Sequence, residues 1–354
     1  MAGESKAKVI PLRANSGRST AARRAAQRAD GARRHPSLLS DSDERASAEE
    51  IAAVVREIDE HRNNGAAAAE EDVPNELSKA ISAIADFATR RMTGDYTVDE
   101  FGFDPHLNDN VVLPLLRGLF KNWFRVEVSG IENLPLDGAA LVVANHAGVL
   151  PFDGLMASVA VHDHHPRQRA LRLLAADLVF DMPVVGQAAR KAGHTVACTS
   201  DAHRLLAAGE LTAVFPEGFK GLGKPFKDRY KLQRFGRGGF VSAALRAQVP
   251  IVPCSIVGSE EIYPKIGDIT LLARLLGLPY FPVTPLFPLA GPLGLVPLPS
   301  KWHIKFGEPI STDGYDEGAA DDPMITFELT DHVRETIQHT LYQLLASRRN
   351  TFLG

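Results

Sequence analysis

Five short apolar runs, separated from one another by segments with helical spacing, constrain the fold of this 354-residue chain more than any other feature. The predicted strands are 139–144, Leu171–Ala175, His194–Cys198, Leu211–Phe215 and Ile251–Val257. The predicted helices between them are 153–161, 183–192, 201–208 and 236–247. This alternation predicts an α/β fold with a mixed, largely parallel sheet flanked by helices. In such folds the functional groups gather where strands end.

The chain is predicted to have three parts. Residues 1–74 are rich in Ala, Ser and Gly; nine Lys and Arg fall in 1–40, and eleven Asp and Glu in 41–72. This composition predicts a mostly disordered tail that is first basic and then acidic. The basic half fits either attraction to anionic lipid or a solvated tail. We expect a helical segment at 75–125 and the α/β domain at 126–354.

The helical segment contains two predicted helices, 75–91 and 109–125. The second places several apolar side chains beside Arg117, Lys121 and Arg125. A basic amphipathic helix of this kind either lies at a membrane interface or packs its apolar face on a domain. The sequence leaves both interpretations open.

Residues 275–299 contain seven prolines and no charged side chain. The length fits a membrane span, but proline lacks an N–H and clashes with the preceding turn of a helix. Four of the prolines recur every third residue, which favours an extended apolar ribbon. The ribbon either contacts a membrane or packs on the core or a second chain. A strand at 301–306 and a helix beginning at Asp322-Pro323 are predicted to follow.

His146 directly follows the first predicted strand, and six residues separate it from Asp153. Pro151 suits the first turn of a helix, which places Asp153 near that helix start. The carboxylate can fix the imidazole tautomer, so that the other ring nitrogen takes a proton from a hydroxyl. The alternative is that Asp153 merely stabilises the helix N-terminus.

A second candidate segment begins at Phe215, Pro216, Glu217 and Gly218 and continues with many cations and glycines. The lysines and arginines are Lys220, Lys224, Lys227, Arg229 and Lys231. They fit either phosphate binding or a solvated basic loop. The segment is not a P-loop, because no GxxxxGK[ST] pattern occurs.

Taken together, the two segments resemble the superfamily of glycerolipid and lysophospholipid acyltransferases. The similar blocks are Asn145-His146 followed by Asp153, then residues 215–218, then Val249-Pro250. The resemblance covers roughly 110–310 and implies an acyl-CoA donor and a lipid hydroxyl acceptor. It also implies that His146 is the base, that Asp153 orients it, and that Glu217-Gly218 help to bind the acceptor.

Two departures from the family pattern bear on the acceptor. The usual interval between histidine and aspartate is four residues, and the run from His146 to Gly154 is closer in style to the mono- and diacylglycerol acyltransferases. The middle block usually carries an arginine that binds the phosphate of a phosphorylated acceptor. Here His194–Ser200 contains no arginine, which favours a neutral acylglycerol or a lysophospholipid.

We therefore predict an acyl-CoA-dependent O-acyltransferase with His146 and Asp153 as catalytic residues. The predicted substrate-binding residues are Asn145, Phe215, Pro216, Glu217, Gly218, Lys220, Lys224 and Arg229. The alternative is a non-catalytic lipid- or acyl-CoA-binding protein with the same fold.

Acyl-CoA is expected as a co-substrate, with no separate cofactor and no metal. The net charge of −4 gives no indication of a nucleic-acid partner, and the two cysteines fit a reducing compartment. We expect a cytoplasmic protein attached peripherally to the inner face of a membrane.

Overall fold

The computed structural model describes residues 85–236, 238–316 and 318–352. The tail predicted for 1–74 and the first part of the helix predicted for 75–91 lie outside the described residues. The strands are β1 (Glu127–Ser129), β2 (Ala140–Ala144), β3 (Leu171–Ala175), β4 (Thr195–Val196), β5 (Leu211–Val214), β6 (Ile251–Val257), β7 (Gly267–Asp268), β8 (Pro282–Val283) and β9 (His303–Phe306).

The first five helices are α1 (85–93), α2 (105–123, with α- and π-helical turns), α3 (Phe152–His164), α4 (Asp177–Asp181) and α5 (Val185–Lys191). The other five are α6 (Thr199–Ala207), α7 (Phe219–Leu222), α8 (Gly239–Ala247), α9 (Thr270–Leu275) and α10 (Pro323–Ser347). None of these helices is both long and apolar enough to cross a lipid bilayer.

Seven strands of the described residues form one sheet, in the order β1-β9-β6-β2-β5-β3-β4. The neighbours from β6 to β4 pair in parallel, whereas β9 pairs antiparallel with β6. The predicted mixed, largely parallel sheet is confirmed. Because β2 lies between β5 and β6, the segments that follow these three strands leave the same edge of the sheet side by side.

Helices cover both faces of this sheet, as the sequence predicts. Alternate residues of β2 point to opposite faces, so Val142 packs towards α2 and α3, whereas Leu141 and Val143 pack towards α6, α8 and α10. All five residues of β2 are buried, which is why the strand reads as an unbroken apolar run.

Helix α2 packs against the domain through Leu113 and Phe120, together with Phe124 directly after the helix, and all three are buried in the core. Arg117 is bonded to Asp163 of α3, with Nη2 at 2.7 Å from Oδ1. The buried face of this basic amphipathic helix therefore packs on the domain, as one of the two interpretations of the sequence predicts. Leu115 stays exposed on the other side.

The C-terminal helix α10 begins where the sequence predicts. The side chain of Asp322 accepts a hydrogen bond from the N–H of Met324 at 2.8 Å, and Pro323 occupies the first turn. Val333, Ile337 and Leu341 are buried along one stripe of the helix. Each such side chain contributes roughly 1.5–3 kcal/mol through burial.

The extended ribbon predicted for 275–299 is wrong. The chain leaves α9, forms the short strand β8 and then turns repeatedly, with a 3₁₀ helix at Gly291–Leu295. Proline spacing restrains φ but does not prevent reversals, and Gly277 and Gly291 adopt the left-handed conformation that such reversals need. We call residues 266–299 the apolar segment.

Candidate active site

The imidazole of His146 and the carboxylate of Asp153 are in direct contact. Nδ1 of His146 donates a hydrogen bond to Oδ2 of Asp153 at 2.8 Å. The Asp153 side chain is fully buried, whereas that of His146 is 11% exposed. Among the described residues no hydrogen-bond partner of His146 Nε2 is found. In the tautomer that carries its proton on Nδ1, Nε2 is an acceptor on the side of the ring that faces away from the carboxylate.

Asp153 also holds the surrounding backbone. Its Oδ2 accepts from the N–H of Ala147 at 2.9 Å, and its Oδ1 accepts from the N–H of Gly154 at 2.8 Å. The residue lies in the first turn of α3, where the helix dipole favours a negative charge. The two interpretations offered by the sequence, orientation of the imidazole and support of the helix start, therefore both apply.

The six residues between His146 and Asp153 form a tight loop with two consecutive left-handed residues. Gly148 has φ +92°, and a Cβ there would lie 2.6 Å from the carbonyl oxygen of Ser259. Val149 has φ +62°, which is a genuine outlier for a β-branched residue. This backbone path brings the carboxylate back to the ring despite an interval longer than four residues.

Phe215 and Glu217 reach His146 from the end of β5. The Phe215 ring lies against the imidazole, with 4.6 Å between ring centroids. Glu217 Oε1 accepts from the backbone N–H of His146 at 2.9 Å, and its Oε2 accepts from the N–H of Gln233 at 2.6 Å. Glu217 is buried and held by backbone, which conflicts with its predicted role in binding the acceptor.

Lys224 lies inside the protein, between two carboxylates. Its Nζ is 2.9 Å from Oε1 of Glu260 and 3.5 Å from Oε2 of Glu217, and all three side chains are at least 95% buried. Burial raises the pKa of Glu260 to about 6, against the opposing effect of the Lys224 ammonium. The prediction that Lys224 binds a substrate phosphate conflicts with this position, because its charge is already used internally.

Comparison with known proteins identifies the family of the region that contains His146 and Asp153. Residues 125–257 match the family model described as Acyltransferase. The whole chain is 72% identical to an uncharacterized protein of Mycobacterium tuberculosis, of which 99% is covered. The identity is 27% to the human DGAT1/2-independent enzyme synthesizing storage lipids, over 61% of this chain and 60% of that protein.

Residues 125–257 therefore form a domain of the Acyltransferase family. A solved structure that the chain resembles is the crystal structure of the 1-acyl-sn-glycerophosphate acyltransferase PlsC from Thermotoga maritima. The two are 22% identical with a TM-score of 0.46, over 69% of this chain and 83% of that one.

In this Acyltransferase-family domain Asn145 holds the sheet rather than facing an open site. Its Nδ2 donates to the carbonyl of Ile256 at 3.0 Å, and its Oδ1 accepts from the N–H of the same residue at 2.7 Å. Both ends of the amide are occupied by β6. The predicted substrate-binding role of Asn145 conflicts with these two bonds, and its effect on His146 is to fix the preceding residue.

The remaining predicted binding residues lie nearer the surface of the domain. Helix α7 begins directly after Gly218, and both Gly218 and Lys220 of this helix are exposed. Pro216 is half-buried. Arg229 is exposed over the Phe226 ring and lines a surface cavity of about 420 Å³ that His146 does not line. The structure therefore brings Phe215 and Glu217 to the imidazole. Lys220 is close to them in sequence, and its ammonium has no ion-pair partner among the residues that the structure describes.

Tyr280 is missing from the sequence prediction, whereas Gly221 belongs to the glycine-rich run in which a close backbone approach is expected, there to a ligand. A Cβ on Gly221 would lie 2.5 Å from the carbonyl oxygen of His146, so glycine is needed for α7 to approach the loop. The Tyr280 hydroxyl donates to the carbonyl of Val149. The Gly-rich run after Phe215 was a usable signal for Gly221, whereas no sequence pattern connects Tyr280 with His146.

Proposed function

We propose that this protein transfers a fatty acyl group from acyl-CoA to a hydroxyl of a glycerolipid. The observation that carries the proposal is the buried His146–Asp153 pair with Nε2 unpaired among the described residues. A hydroxyl placed at Nε2 has its proton acceptor in position, and the bond from Nδ1 to the carboxylate stabilises the imidazolium that forms.

The reaction proceeds in a single displacement, in which His146 first takes up a proton and then returns it to the leaving group. His146 Nε2 takes the proton of the acceptor hydroxyl, and the oxygen attacks the thioester carbonyl of acyl-CoA. The carbon–sulfur bond breaks, the new ester bond forms, and the coenzyme A thiolate takes up the proton from the imidazolium. General-base help is worth about 10²–10⁴-fold, and alignment of the two substrates supplies much of the remainder.

We infer that the acceptor is a neutral acylglycerol or a lysophospholipid. The segment His194–Ser200, which forms β4 and the start of α6, contains no arginine for the phosphate of a phosphorylated acceptor. The human relative is an enzyme synthesizing storage lipids, which supports the acylglycerol class.

We also propose that the protein attaches peripherally to the inner face of a membrane. The apolar segment exposes several large side chains, with Leu289 91% and Leu293 73% exposed. Trp123 of α2 donates through Nε1 to the carbonyl of Pro297 at 2.9 Å, and it is itself partly exposed. The two regions predicted for membrane contact are thus adjacent at this point. A contiguous exposed apolar surface is typical of a site that binds lipid or protein.

The test is product formation from radiolabelled acyl-CoA with a panel of acylglycerols and lysophospholipids. Wild type should form labelled ester with at least one acceptor, and His146→Ala should reduce turnover to background. Asp153→Asn should lose less, because an amide still bonds the ring but favours the imidazolium less. His332→Ala, at an exposed position of α10, is the matched control and should retain wild-type turnover.

The same assay decides between enzyme and non-catalytic binding protein. Wild-type turnover by His146→Ala would overturn the mechanism. Saturable acyl-CoA binding without any labelled product across the panel would instead favour the non-catalytic alternative.

A further inference from the structure

The backbone of Val149 is held in place from two sides. Its N–H donates to the carbonyl of Leu222 at 3.2 Å, and its carbonyl accepts from the Tyr280 hydroxyl. A left-handed β-branched residue costs of order 1–3 kcal/mol and persists where its surroundings over-determine it. These two bonds are therefore part of what keeps the loop between His146 and Asp153 in its observed shape.

Tyr280 is itself fixed by the elements around it. Its ring packs on Gly223, where an added Cβ would lie 2.9 Å from the tyrosine Cδ1. The ammonium of Lys265 lies over the same ring, 4.9 Å from the Tyr280 ring centroid. Lys265 is buried and paired with Asp268, with 2.6 Å between Nζ and Oδ2. The phenol thus connects the apolar segment to the loop formed by residues 147–150.

The position of Val149 explains why this connection bears on chemistry. The residue lies between the base and its carboxylate partner, so a change of its φ and ψ alters the path that joins them. Misplacement of a catalytic group by a small distance is enough to lower the rate of a positioned reaction. The hydrogen bond of the Tyr280 hydroxyl goes to Val149 and not to His146 or Asp153, so it acts on the pair through the loop.

We propose that Tyr280 is a positioning residue for acyl transfer, whose hydroxyl holds the 147–150 loop and thereby the His146–Asp153 pair. This proposal rests on the proposed function. It assigns the apolar segment a second role beside lipid contact, because the same segment supplies the hydroxyl that shapes the site. The bond to Val149 is predicted to matter for turnover and not for substrate capture.

The first test compares Tyr280→Phe with Tyr263→Phe. Tyr263 donates through its hydroxyl to the carbonyl of Leu295 in the apolar segment and not to residues 147–150. Its ring lies 6.3 Å from the ring of Phe152, and phenylalanine keeps this ring contact. We expect Tyr280→Phe to lower kcat by about two- to tenfold with the KM for acyl-CoA unchanged, as loss of one hydrogen bond predicts. Tyr263→Phe should leave kcat at the wild-type value although both variants lower Tm to a similar extent.

The second measurement does not depend on catalysis. Hydrogen exchange of a peptide covering 145–155 should be faster in Tyr280→Phe than in wild type and in Tyr263→Phe. Unchanged exchange, or faster exchange with wild-type kcat, would overturn the proposal, and so would equal loss of kcat in both variants. If wild type forms no labelled ester, the proposed function fails, while the exchange measurement still shows whether Tyr280 holds the loop.

Discussion

The backbone N–H of His146 donates a hydrogen bond of 2.9 Å to Oε1 of Glu217, which lies 71 positions further along the chain. The bond forms because β2 and β5 are parallel neighbours, with Val143 opposite Val214 in register. The segments that follow these two strands therefore leave the same edge of the sheet side by side. Glu217 fixes the peptide that carries the imidazole, and its second oxygen is bonded to the N–H of Gln233.

Glu217→Gln should lower kcat by about tenfold without raising the KM of the acceptor. The amide group cannot accept from both backbone N–H groups, so one of them loses its partner and the loop loosens. Steady-state kinetics across acceptor concentrations measures both constants, with Glu308→Gln at an exposed position as control. A raised KM at wild-type kcat would restore the role in acceptor binding that the family resemblance implies.

Lys224→Met should destabilise the protein by about 3–5 kcal/mol, because it leaves the buried carboxylates of Glu217 and Glu260 without their ammonium partner. Denaturant unfolding measures this loss. Lys220→Gln, at an exposed position, should change the free energy of unfolding by less than about 0.5 kcal/mol and raise the KM of a phosphate-bearing substrate. Equal stability of the two variants would contradict the structural role of Lys224.

The Arg117–Asp163 pair predicts a pH-dependent contribution to stability. The hydrogen bond from Arg117 lowers the pKa of Asp163 below its usual value of 3.8, so the ionised carboxylate is favoured in the folded state. This stabilisation is fully present above pH 3.8 and is lost as the pH falls through the folded-state pKa. Arg117→Met should therefore cost about 1 kcal/mol at pH 7 and progressively less in acid.

Urea unfolding of wild type and Arg117→Met from neutral to acidic pH measures this difference. Arg246→Met is the matched control, since the Arg246–Asp321 pair is largely exposed and should contribute little at any pH. A difference that stays constant into acid would show that Arg117 stabilises the protein through packing and not through its charge.

Replacing Leu289 and Leu293 with serine should release the protein from lipid vesicles in a flotation assay. Each exposed leucine gains roughly 1.5–3 kcal/mol by full burial in the bilayer, so two substitutions remove much of a reversible attachment. Activity on short, water-soluble acceptors should persist. Met324→Ser with Phe327→Ser, which changes two exposed apolar residues of α10, is the control and should float like wild type. Absence of wild-type flotation would contradict membrane attachment.

Sequence patterns predict the central strands well because burial on both faces leaves a clear apolar run. Strands β3 and β6 have the predicted bounds, and β2 begins one residue later. The strand predicted at His194–Cys198 pairs over two residues, and β1 is not predicted at all. Such short strands depend on their neighbours for hydrogen bonds, and their own sequence carries little periodicity.

In the site, too, contacts between residues close in sequence are predictable, whereas contacts between distant parts of the chain are not. The contact of His146 with Asp153 follows from a strand end and a helix start that are close in sequence. The roles of Glu217 and Lys224 depend on strand register and on burial, which charge and spacing do not reveal. The sequence shows that Lys224 is a cation but not that two carboxylates surround it.

The left-handed conformation of Val149 has a consequence for directed evolution. Glycine adopts this conformation without strain, but the side chain of Val149 is buried in the core, so replacement by glycine exchanges relieved strain for lost burial. The replacement also gives the 147–150 loop more freedom around the base. A screen that scores both heat resistance and turnover should therefore retain valine at this position.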